Sequence, residues 1–122
     1  VQVIIVEKDT FVAEDIASIV GARFPDAPPV MVPDLEQCRE TLDRIGHCIL
    51  AVICASSAEL AASGVIEQLE RIRSAMVVID ASEDGGMSGE TTLARITKPF
   101  SQDTLNSAIT SALALRDSFP GR

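Results

Sequence analysis

The chain has 122 residues, 47% of them hydrophobic, with 18 acidic against 10 basic side chains and a formal net charge of −8. That size and apolar content describe one globular domain, 1–122, able to bury about two-thirds of its unfolded surface, and exclude a disordered chain. The acidic balance argues against a nucleic-acid-binding face, the apolar runs fall far short of the ~20 residues of a membrane span, and three cysteines with one histidine do not make a usual zinc set.

Val1–Val6 is a nearly continuous β-branched run, the pattern of a strand buried on both faces. No basic segment precedes it, so no signal peptide is read. Glu7-Lys8-Asp9 ends the strand, and Asp9 or Thr10 caps a helix running to about Phe24, with Val12, Ile16, Ile19 and Val20 on one face. Pro25 to Pro29 is a breaker cluster. Val30–Val32 follows as a short strand, and Pro33 behind it marks an edge. Asp34 and Gln37 have the spacing of a capping box, ahead of a helix carrying Leu35, Cys38, Leu42 and Ile45 and ended by Gly46.

Cys48 to Cys54 is the second buried strand, and Ala55 to Ala58 opens a loop or a helix. Val65, Ile66, Leu69 and Ile72 mark a further helix, with Gly64 near its front. Met76 to Ile79 is the next buried strand and ends on Asp80. Residues 82–91 have no apolar period and read as loop or a single turn. Leu93–Thr97 is the last strand, Lys98-Pro99 forces a turn, and Ser101 caps a helix to about Arg116. The tail from Asp117 to Arg122 is expected to fray.

Alternating elements with continuously apolar strands imply a parallel sheet covered on both faces. Right-handed crossovers narrow this to a doubly wound α/β sheet of five strands, most simply in the order 2-1-3-4-5. In such a sheet ligands bind at the carboxyl ends of the strands. Those ends gather Glu7, Lys8, Asp9, Cys54, Asp80 and Lys98, with Pro99 fixing the turn that holds Lys98.

This constellation, above all Lys98-Pro99-Phe100 before a Ser-capped helix and the acidic end Val6-Glu7-Lys8-Asp9, resembles the receiver domain of two-component response regulators, an atypical or degenerate member of the flavodoxin/CheY-like group. The resemblance covers nearly the whole chain. It implies two acids after the first strand and an aspartate after the third that together hold Mg²⁺. That aspartate takes a phosphoryl group from a histidine kinase. A hydroxyl after the fourth strand and the lysine of the Lys-Pro turn then sense it.

Matched residue by residue, Glu7 fits the first acid. Lys8 falls where the second belongs, unless a shifted strand lets Asp9 serve. Cys54 falls at the phosphoacceptor position, Asp80 at the hydroxyl position, and Lys98 and Pro99 match. Exchanging carboxylates for a thiol and an ammonium disfavours Mg²⁺, a hard cation that takes oxygen ligands, so Mg²⁺ binding is expected to be weak or absent and no other cofactor is implied. The pocket is expected to be neutralised internally, with Lys8 and Lys98 pairing Glu7, Asp9 and Asp80. Only residues 81–92 separate Asp80 from Leu93, so the family's fourth helix is expected to be short or missing.

The function implied is a cytoplasmic, bacterial signalling module that does not accept phosphate and is not an enzyme. It works through protein partners, whether a histidine kinase, an output domain or another signalling protein, with a homodimer through the last helix as one arrangement. A conventional phosphoaccepting receiver and a thiol-based redox-sensing flavodoxin-like domain built on Cys54 are the alternatives. Asp80 to Thr91 matches a calcium loop only in part, since the bidentate Glu should come twelfth and Thr91 stands there.

Overall fold

The structure, a computed structural model, describes residues 2–80, 93–97 and 101–117. Five strands, β1 (Val3–Val6), β2 (Val30–Val32), β3 (Leu50–Cys54), β4 (Ala75–Asp80) and β5 (Leu93–Thr97), form one parallel sheet in the order β2-β1-β3-β4-β5. The helices are α1 (Thr10–Arg23), α2 (Leu35–Ile45), α3 (Ser57–Ser63), α4 (Val65–Arg71) and α5 (Gln102–Asp117). Among the described residues no helix is long and apolar enough to cross a membrane.

Alternation along the strands divides the core in two. Val3, Ile5, Leu50, Val52, Val77 and Ile79 meet Ile16 and Val20 of α1 and Leu105 and Ile109 of α5. Ile4, Val6, Ala51, Ile53, Met76 and Val78 meet Cys38 and Leu42 of α2, Leu60 of α3 and Val65 and Leu69 of α4. Each fully buried Leu or Ile contributes about 1.5–3 kcal/mol, so the two layers hold the sheet from both sides.

The caps show why the helices begin and end where they do. The Asp34 carboxylate accepts from Gln37 N–H at 2.9 Å, and Gly46 closes α2 in the left-handed region at φ +75°. The Ser101 hydroxyl accepts from Thr104 N–H at 3.1 Å at the start of α5. The helix expected over Val65 to Ile72 is α4, and the stretch from Ala55, open between loop and helix in the sequence, starts a second short helix, α3. Ser56 and Glu59 form a reciprocal capping box that starts α3, and Gly64, at φ +79°, ends it and turns the chain into α4. The expectations for a shortened fourth helix in 81–92, the partial calcium loop, the Lys98-Pro99 turn and the tail lie outside the described residues.

Candidate functional site

The carboxyl edge is built by register. Val6 pairs with Ile53 and Cys54 with Ile79, so Glu7 and Cys54 are the next residues up on the two strands that flank the switch point. Glu7 N–H donates to Val32 O at 3.0 Å and Ala55 N–H to Ile79 O at 3.2 Å, which carries the ladder past the strand ends. β4 continues to Asp80, paired with Thr97, the residue before Lys98. The backbone therefore brings positions 7, 54, 80 and 97 to one edge. Lys98 and Pro99 themselves lie outside the described residues.

The first of these side chains is buried. Glu7 is 8% exposed, and its Oε2 accepts from Asp9 N–H at 3.0 Å, which folds the strand end back on itself. Asp9 is exposed and caps α1, its Oδ1 accepting from Phe11 N–H at 2.9 Å and Val12 N–H at 3.4 Å. Asp9 therefore serves the helix start through Oδ1. Lys8 is exposed and forms no ion pair with Glu7 or Asp9 among the described residues, and the expected neutralisation through Lys98 lies outside them.

Cys54 is half-buried. It packs against the α1/α5 side of the core and lines an open cleft of about 610 Å³ together with Glu7, Lys8, Ser56 and the first turns of α2 and α3. The Ser56–Glu59 box on the far wall decides for a helix where the sequence leaves Ala55 to Ala58 open between loop and helix, and its Ser-x-x-Glu spacing is the signal for one. The other thiols stay away from this edge. Burial, reinforced by the neighbouring Cys48, pushes Cys38 up to about 12. Burial also raises Cys48, against the partly offsetting hydrogen bonds it makes with Ser74 and the backbone. His47 is exposed in the α2–β3 turn, at the opposite edge, with its Nδ1 3.0 Å from Ile45 O.

The donors described at positions 7, 8 and 54 do not fit Mg²⁺. Position 7 offers one carboxylate already accepting a backbone N–H, position 8 an ammonium and position 54 a soft thiol, where a hard cation takes several oxygens. Among the described residues no group of three or more His, Cys, Asp or Glu side chains is placed to hold a metal ion.

The fold is that of receiver domains. The receiver domain protein (CheY-like) from Methanospirillum hungatei superposes with a TM-score of 0.70 at 20% identity, over 96% of this chain and 98% of that one. SdrG from Sphingomonas melonis gives 0.68 at 20% identity over 92% and 95%. The anti-anti-sigma factor PhyR from Bartonella quintana gives 0.71 at 21% over 95% of this chain but 49% of its own, so the likeness there is to about half of the larger protein. No family model and no curated protein sequence matches the chain.

Proposed function

We propose that this chain is a receiver-like signalling domain that works by binding protein partners in a bacterial, cytoplasmic two-component setting and does not take a phosphoryl group on β3. The similarity of fold to response-regulator receivers supports the signalling class. The observation that carries the rest is Cys54 next to Glu7. The β3 end presents a thiol where the receiver scheme needs a carboxylate, with one buried acid and an ammonium beside it. A thiol cannot form an acyl phosphate, and without a set of oxygen ligands there is no cation to offset the charge of an incoming phosphoryl group. The domain is accordingly a binding module and not an enzyme, and its partners are a histidine kinase, an output domain or another signalling protein. Incubation with Mg²⁺ and acetyl phosphate, or with beryllofluoride, is expected to leave the intact mass and the amide spectrum unchanged. A phosphoprotein, or saturable millimolar binding with shifts at residues 7–8 and 54, overturns the proposal.

A second reading has one observation in its favour. Cys54 is half-buried in a cleft, where the other two thiols are sealed in the core. A redox role requires a thiolate below pH 9, so alkylation of Cys54 that is no faster at pH 7 than that of a simple thiol ends it.

A further inference from the structure

We infer that the groove between α2 and α3 docks a short basic segment of a partner protein. The cleft at the crevice does not stop at the strand ends. A second cleft of about 410 Å³ runs on along α2 and shares Leu35, Glu36, Ala62 and Ser63 with the first. Together they make one trough, with the half-buried Leu35 and the exposed Ala62 as its apolar walls.

Its charge is one-sided. Six carboxylates line the two clefts (Glu7, Asp34, Glu36, Glu40, Asp43 and Glu59) against two cations, Lys8 and Arg39. Four of the six already have work inside the fold. Glu7 holds the Asp9 N–H, Asp34 and Glu59 cap helices, and Asp43 accepts from Gln68 Nε2 at 2.9 Å. Glu36 and Glu40 are exposed and have no hydrogen bond or ion pair with any described residue. They stand one helical turn apart, where like charges repel and weaken a helix. A cationic occupant relieves that repulsion and displaces water from Leu35 and Ala62 in the same step.

The dimensions set the occupant's length. From Leu35 to Asp43 the helix advances about 12 Å, which an extended chain covers in about four residues. The fitting segment is therefore an extended stretch of about four residues with two Lys or Arg and an apolar side chain between them. This rests on the reading of the domain as a partner-binding module, and it involves neither Mg²⁺ nor the β3 thiol.

The test is titration of the ¹⁵N-labelled full chain with a synthetic peptide of alternating lysine and leucine, and with the same peptide carrying glutamate for lysine. Saturable shifts concentrated in residues 34–43 and 56–63, with the basic peptide only, are expected. The double variant Glu36→Gln/Glu40→Gln should weaken binding about fivefold or more, and added salt should weaken it in the wild type. Glu14→Gln/Asp15→Asn, with the same charge change on the exposed face of α1, should leave affinity within about twofold. No saturable binding, shifts spread over the acidic surface, or equal weakening by both double variants overturns the inference. The phosphodonor experiment reads a different signal, so a phosphorylated chain that still binds the peptide removes the proposed function and leaves the groove.

Discussion

The two faces of the sheet are built differently. One is covered by α1 and α5, of 14 and 16 residues, joined by Arg23 Nη1 donating to Thr110 Oγ1 at 3.1 Å. The other is covered by three shorter helices of 11, 7 and 7 residues, with a left-handed glycine between the last two. The long helices close their face over Leu105 and Ile109. The short ones leave a trough between α2 and α3 and carry the caps and carboxylates that line it. Stability and access are thus assigned to opposite sides of one sheet, and a region built from seven-residue helices depends more on its caps than one built from sixteen.

The comparison can be broken most severely from the long-helix side. Ile109 is fully buried, and Ile109→Ala should cost about 2–5 kcal/mol in urea unfolding, through lost transfer energy and the cavity left behind. Next is alkaline pH, which acts on the short-helix side through Cys38. Its folded pKa is raised from 9.0 to about 12, so its contribution is whole below pH 9 and is lost as pH rises through that window. The unfolding midpoint should fall between pH 9 and 12, with Cys38 adding up to about 1.4 kcal/mol per pH unit, and Cys38→Ala should flatten that slope. Ser56→Ala removes one half of the α3 capping box and should cost about 1 kcal/mol, seen also as faster amide exchange in 57–63 and unchanged exchange in α5. The smallest effect has the opposite sign. Arg73 is the one non-glycine residue with positive φ among the described residues, at +60°, following α4. Arg73→Gly should gain about 0.5 kcal/mol, the relief of a left-handed side chain being offset by the freedom glycine adds to the unfolded chain.

The sheet was legible because its signals are redundant. Val3–Val6 and Leu50–Cys54 are apolar at every position, and the chain alternates between strand and helix, which leaves few topologies. The α3–α4 break was harder to read, since Gly64 sits inside a helical pattern where a single glycine is often tolerated, and only its φ of +79° makes it a terminator. Glu7 and Cys54 at the crevice followed from strand order. For Asp9 the sequence offers the helix cap with Thr10 as its rival and the metal as a second use, because a carboxylate three residues past a strand can serve either. Two hydrogen bonds, from Phe11 N–H and Val12 N–H, make Asp9 and not Thr10 the cap. The trough along α2 could not be read at all, since it exists only where α2 and α3 pass each other.

β2 remains, the outermost strand on its side, three residues long and held between Pro29 and Pro33. Neither proline has an amide hydrogen, so a neighbouring molecule trying to add itself there finds a rail with about two rungs. Met31, 51% exposed on that margin, would invite such an approach on a longer strand. Self-association of this chain by lateral growth of the sheet is discouraged at that margin, and any pairing of two copies there has to be made by helices.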